Sequence, residues 1–358
     1  MLKTFIIAEA GVNHNGSLEM AKELVKRAAE AGADAVKFQT FKAKNIISKY
    51  AAKADYQKKN TDNDESQLDM VRKLEMDRSM HLELVAYCND CNIQFLSTPF
   101  DLESVDLLAR EIKVKQVKIP SGEIVNGPLL LKVAQTRLPV LLSTGMSSLG
   151  DIEAALAVLA YGYLGDDPLP SKDKLLKAYE SEKGQRILQK NITLLHCTTE
   201  YPTPYGDVNL GVLDTLFSAF NLPVGLSDHT EGIAIPIAAV AKGAKVIEKH
   251  FTLDKKLPGP DHKASLEPFE LAQMISSIRQ VEQAIGKSVK LPALSERNNR
   301  LIVRKSLVAA KNIKKGDKFT PENLTTKRPG TGISPMLYWE WIGKVADRDY
   351  EEDDVIQL

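Results

Sequence analysis

Two lysines stand inside apolar runs of this sequence, Lys37 in AVKFQT and Lys118 in QVKIPSGE. A lysine buried among apolar neighbours needs an anionic partner, because an unpaired charge out of water is costly. Hydroxyl residues occupy similar places in other runs: Ser97 and Thr98, Ser121, Ser143 and Thr144, and Ser227. Two ammonium groups with a set of hydroxyl donors make a site for a phosphate and a carboxylate. The rival chemistry is a lysine nucleophile that forms a Schiff base with a carbonyl substrate. His229 in GLSDHT and His250 in IEKHFT end consecutive runs. On neighbouring strands, about 5 Å apart, two imidazoles can share one metal. Two nitrogens with oxygen ligands suit a divalent first-row ion such as Mn2+. Two hydrogen-bonding histidines are the plainer alternative.

Other run ends carry Glu9, Asn13 and His14; Gln39 and Thr40; Glu123; His196, Thr199 and Tyr201; Asp228; and Glu248. Each alone reads as a cap or a solvated group. All the run ends being polar is harder to explain that way, since burying unpaired polar groups is unfavourable. These residues need a scaffold that gathers strand ends. Eight short apolar runs supply it: FIIAEAG, AVKFQT, QFLSTPF, QVKIPSGE, PVLLSTGM, ITLLHCTTEYP, PVGLSDHT and KVIEKHFT. Continuous rather than alternating apolar runs suit parallel strands covered on both faces. The intervening segments have helical spacing. Ser17 caps SLEMAKELVKRAAEAG and Gly32 ends it.

Eight strand–helix units predict a (β/α)8 TIM barrel, whose active site forms at the C-terminal strand ends. An open doubly wound sheet is the alternative, but no G-x-G-x-x-G follows any strand. Residues 42–75 and 162–190 read as insertions. The barrel is expected over 1–285, a polar linker over 286–300, and a small second domain of short strands and turns over 301–358.

The chain has 358 residues, with 47 basic and 47 acidic side chains. That balance gives no reason to expect nucleic acid or an anionic membrane as a partner. No stretch approaches the roughly 20 apolar residues of a membrane helix, and the first residues do not read as a secretory signal. Three cysteines and no signal point to the cytoplasm. Cys88 and Cys91 form a lone C-x-x-C with no second pair to complete a zinc site, so they read as two small residues at a helix end.

At AEAGVNHNG, VKFQTF, STPFD, KIPSGE, STGM, HCTTEYPTP, GLSDHT, IEKHFTLD and PGPDH, the chain resembles the sialic acid synthase family. KRPGTGIS resembles that family's C-terminal SAF, or antifreeze-like, domain. The resemblance implies a barrel in a domain-swapped homodimer, each small domain capping the partner's site. It implies that phosphoenolpyruvate is condensed with an N-acetylated amino sugar, with loss of phosphate by C–O cleavage. Mn2+, or Mg2+ or Co2+, would sit on His229 and His250. Lys37, Thr98, Lys118, Ser121, Ser143, Tyr201 and Ser227 would hold phosphoenolpyruvate, with Gln39 and Thr199 also in the substrate site. Thr199 stands where some members have Asn. Glu9 and Glu123 would handle protons, with Lys118 in the catalytic set. Glu123 and Asp261 would face the sugar, and Arg328 would reach its N-acetyl group from the other subunit. N-acetylmannosamine is the expected sugar. A 2,4-diacetamido-2,4,6-trideoxymannose, giving legionaminic acid, is the alternative. The triplet Asp55-Tyr56-Gln57 resembles the N-acetylneuraminate branch, but legionaminic acid synthases look similar there. A Schiff-base aldolase and a non-catalytic carbohydrate- or ice-binding protein are remoter readings.

Overall fold

The structure is a computed structural model, and it describes residues 3–48, 50, 66–165 and 169–357. The triplet Asp55-Tyr56-Gln57 lies outside the described residues. The chain divides into two compact units, Met1–Gly286 and Lys287–Leu358.

The first unit is the expected barrel. Its strands are β1 (Phe5–Gly11), β2 (Ala35–Thr40), β3 (Gln94–Pro99), β4 (Val117–Ile119), β5 (Val140–Ser143), β6 (Ile192–Cys197), β7 (Val224–Asp228) and β8 (Val246–His250). All paired neighbours are parallel, and β1 pairs with both β2 and β8. The hydrogen-bonded order is β3-β2-β1-β8-β7-β6-β5-β4, and β3 lies beside β4, which brings the two ends of the sheet together. Helices on the outside bury apolar faces against the strands. Leu18–Glu30, for example, buries Ala21, Leu24, Val25 and Ala28 and is capped by Ser17. Ser17 Oγ accepts the Met20 amide, one of the N–H groups a helix start leaves unpaired.

Two corrections concern the supposed insertions. Residues 162–190 are mostly helical: Leu149–Leu164 runs into them, and Lys172–Glu180 and Glu182–Asn191 fill much of the rest. Their exposed faces are so polar that the composition hid the helical period. Within 42–75, Ala43–Ile46 and Gln67–Arg72 form short helices.

Strand alternation decides which side chains do what. Ile7, Ala35, Leu96, Leu141, Leu195 and Val246 form a separate apolar cluster, distinct from the core between strands and helices. Two residues further along each of those strands come Glu9, Lys37, Thr98, Ser143, Cys197 and Glu248, on the same inward side. One apolar layer thus supports a polar one. Their immediate neighbours Ser97, His196 and Lys249 lie on the opposite side. In the second unit, β9 (Ser306–Ala309) pairs antiparallel with β10 (Leu324–Lys327) over a core that includes Leu307, Phe319, Leu324 and Ile356. Residues 297–303, read as linker and the start of the small domain, form a helix.

Candidate active site

The polar layer lines a cavity of ≈ 280 Å³, close to the lower bound of about 300 Å³ for small-molecule sites. Register sets Glu9 opposite Lys37 on one side and His250 on the other. Lys37 Nζ lies 2.5 Å from Glu9 Oε2 and 3.6 Å from Glu248 Oε2, and donates to Thr98 Oγ1 at 2.9 Å. Lys118 Nζ donates to Glu248 Oε1 at 2.7 Å, and Ser227 Oγ donates to the same oxygen at 2.9 Å. Two lysines and two carboxylates therefore share one buried cluster, each residue no more than 4 % exposed.

The two carboxylates differ. Burial pushes Glu9 up to about 7, against the opposing pull of Lys37. Glu248 is equally buried, yet Lys118 and Lys37 outweigh that and hold it well below the usual carboxylate range. Burial would lower Lys118, but Glu248 and Glu9 raise it. Glu248 is thus held as an anion beside Lys118 and Lys37, while Glu9 can gain or lose a proton near neutrality. The sequence marked Glu248 as a polar strand end and gave it no role. The signal was the Glu-Lys-His run in a strand with no exposed residue.

His229 and His250 come together as expected, with ring centroids 5.4 Å apart. His229 Nδ1 lies 2.7 Å from the Thr198 carbonyl, which can only accept, so Nδ1 carries the proton. In the neutral ring this leaves Nε2 with a lone pair. Burial would lower His229, but Cys197, with Sγ 3.8 Å from Nδ1, and the Thr198 carbonyl raise it. Burial holds His250 well below its ordinary value, and its Nδ1 is buried without a hydrogen-bond partner. Tyr201 packs 4.1 Å from His229 and 5.5 Å from His250, centroid to centroid. Burial raises Asp261 to about 6, with His229 opposing. Among the described residues, no three or more His, Cys, Asp and Glu side chains are arranged to hold a metal ion. The donor set here is two imidazoles, one with its tautomer fixed by a carbonyl, as metal-binding histidines commonly are.

Gln39, Ser121, Ser143 and Thr199 also line the cavity. Ser143 Oγ is buried and makes no hydrogen bond. Ser121 Oγ accepts the Gly145 amide at 3.0 Å. A Cβ at Gly145 would meet Thr199 Oγ1 at 2.5 Å and Ser121 Oγ at 2.7 Å, so only glycine lets these hydroxyls close in. Glu123 does not join Glu9: it is absent from the lining, and its Oε2 accepts from Asn126 at 2.6 Å. Arg328 belongs to the second unit, exposed, with Nε donating to the Val303 carbonyl at 3.1 Å. Cys197 lines the cavity and was missed, a small residue in an apolar strand. Cys88 and Cys91 are free thiols at the end of helix Arg78–Asp90.

On the outer side of β8, Lys249 donates to Asp228 Oδ2 at 2.6 Å and to the Thr230 carbonyl. This clamp grips the residues on either side of His229 and fixes the turn that carries it.

Residues 24–290 match the model of the NeuB family, and residues 304–358 match the SAF domain. The chain is 56% identical over its whole length, and that of the relative, to N,N'-diacetyllegionaminic acid synthase of Campylobacter jejuni subsp. jejuni serotype O:2. It is 36% identical to human N-acetylneuraminate-9-phosphate synthase, over 98% of this chain and 91% of that one. Among solved structures it is similar to the N-acetylneuraminic acid synthetase of Leptospira borgpetersenii serovar Hardjo-bovis. That match has a TM-score of 0.68 at 33% identity, over 83% of this chain and 90% of the other. A barrel with this inward layer, matched along most of its length and followed by a matched terminal domain, places the chain in the NeuB family of sialic acid synthase-type proteins.

Proposed function

We propose that the chain condenses phosphoenolpyruvate with 2,4-diacetamido-2,4,6-trideoxymannose and water, giving N,N'-diacetyllegionaminic acid and phosphate. The sugar is a change from the N-acetylmannosamine expected from the motifs. It rests on the 56% full-length identity to a legionaminic acid synthase, against 36% for a sialic acid relative. The observation that carries the chemistry is the inward cluster of Lys37, Lys118, Glu9 and Glu248 beside two histidines.

In this reading Lys37 and Lys118 turn from the carboxylates toward the phosphate and carboxylate of phosphoenolpyruvate. Ser143, Ser121, Ser227 and Thr98 add hydroxyl donors. Glu248 offsets the charge of both ammonium groups before the substrate arrives. C3 of phosphoenolpyruvate attacks the sugar aldehyde, whose oxygen takes a proton and becomes a hydroxyl. Water adds to the cation left at C2 and gives up a proton; the hemiketal then expels phosphate with its bridging oxygen as the C2 hydroxyl becomes the carbonyl and its proton passes to the phosphate. Glu9, raised to about 7, is the group able to hold or release a proton near neutrality. His229 and His250 would hold a divalent cation such as Mn2+, Mg2+ or Co2+. Such an ion supplies Lewis-acid polarisation of an aldehyde oxygen. Holding both reactants in one mouth supplies much of the acceleration.

Arg328 is assigned to the partner's site in a domain-swapped homodimer, because the described cavity lining contains no arginine. Mixing Arg328→Ala with His229→Ala subunits should restore about a quarter of wild-type activity in randomly exchanged dimers. No recovery removes the shared site. The main test is phosphate release from phosphoenolpyruvate with a panel of amino sugars. Release that depends on the diacetamido sugar supports the reading. Release with no sugar, or none with any, overturns it.

A further inference from the structure

The cavity lining falls into two unlike groups. One is the charged cluster with the histidines, Tyr201 and Asp261. The other is a wall of Ile46, Ile47, Met70, Val71 and Leu74. The wall comes from Ala43–Ile46 and Gln67–Arg72, two short helices that pack on each other beyond β2, and from Ile47 and Leu74 just past their ends. Met70 is buried, and the other four are half-buried. A segment reading as a charged insertion thus lays aliphatic side chains into a site built for anions. The anion chemistry leaves this wall unexplained.

We infer that this wall selects the sugar by its tail, favouring a 6-deoxy, acetamido-bearing chain over a hydroxylated one. The inference rests on the functional reading above, in which C1 of the open-chain sugar must meet phosphoenolpyruvate at the charged cluster. The remaining carbons then point into the rest of the cavity. A C6 methyl and an acetamido methyl bury against aliphatic side chains with no polar group left over. N-acetylmannosamine carries hydroxyls at C4 and C6 instead. A hydroxyl against this wall loses its water and finds no donor or acceptor among the five side chains. Gln67, at the start of its helix, also lines the cavity and offers an amide to one acetamido group. At C6 the two sugars differ by one added hydroxyl, which an apolar pocket rejects by roughly 100-fold, so the wild-type preference should be of that order.

The experiment measures kcat/KM for 2,4-diacetamido-2,4,6-trideoxymannose and for N-acetylmannosamine at saturating phosphoenolpyruvate. It compares the wild type with Met70→Gln, Leu74→Asn, the near-isosteric Val71→Thr and the control Met70→Leu. The ratio of the two values is internal to each preparation, so partial unfolding of a variant cancels. The expected result is a wild-type ratio of roughly 100. It should narrow about tenfold in at least one polar variant and hold in Met70→Leu, since one polar group offsets part of a single-hydroxyl preference. An unchanged ratio in all three polar variants, or a wild type with no preference, overturns the wall while leaving the synthase reading intact. A wild type that releases phosphate with neither sugar overturns both.

Discussion

Glu248 and Lys249 are neighbours on β8, yet they belong to two different buried charge clusters. On the outer side, Lys249 and Asp228 pair at 2.6 Å, and Asp228 also takes the Thr230 amide at 3.1 Å and hydroxyl at 3.0 Å. Neither Lys249 Nζ nor an Asp228 oxygen is left without a partner, and Lys249 is 0% exposed. On the inner side, Glu248 holds two lysines, but its Oε2 and the nearby Ser143 Oγ are buried without a hydrogen bond, and the group opens onto a cavity. Buried polar groups are normally satisfied. A saturated cluster behaves as a structural tie, whereas one with capacity left over is prepared for a ligand.

Substitutions on the two sides should therefore fail differently. Lys249→Met strands Asp228 without its cation, and breaking a buried pair from one side costs about 3–5 kcal/mol. Denaturant unfolding should show that loss, and adding Asp228→Leu should recover most of it. The KM for phosphoenolpyruvate in the folded fraction should change little. A stable Lys249→Met protein would break the comparison. Lys118→Met should show its effect on the substrate, lowering kcat/KM for phosphoenolpyruvate by roughly 10²–10³-fold in the folded fraction, as for loss of one preorganised donor. Here the KM for the sugar should move far less. Equal effects on both substrates would mean that Lys118 acts through the fold.

Two smaller effects sharpen the picture. Glu9 sits near 7 because of burial, so a base at this position loses its ionised form as pH falls through about 7. The log of kcat/KM should drop about one unit per pH unit below that point. The residual activity of Glu9→Gln should lack this acid limb, and a limb that persists assigns the titration elsewhere. Gly145→Ala pushes against Ser121 and Thr199. It should cost about tenfold in kcat/KM, a displacement effect short of the 10²-fold possible for a 1 Å shift, with thermal stability nearly kept.

Much of this layout was legible in advance, for a definite reason. Parallel strands buried on both faces leave continuous apolar runs, so Lys37, Lys118, His229 and His250 stood out as exceptions. What the runs conceal is side. Ser97 and Asp228 looked equivalent to Thr98 and Ser227, and His196 stood out where Cys197 lines the cavity, until the strand period separated inner from outer. Glu248 hid for the opposite reason: its role depends on lysines 130 and 211 residues away, at Lys118 and Lys37. The wall of Met70, Val71 and Leu74 was invisible because the segment around it is charged. Helices Lys172–Glu180 and Glu182–Asn191 were masked by their own polar faces. The resemblance of the motifs gave the family, while the proposed sugar rests on the full-length likeness to a legionaminic acid synthase.

The claim at the centre is that the inner cluster holds phosphoenolpyruvate while water adds at carbon, not at phosphorus. Running the complete reaction in oxygen-18 water tests it in one step. The expected products are unlabelled phosphate and an acid with one labelled oxygen at C2, before exchange. Label in the phosphate would contradict it.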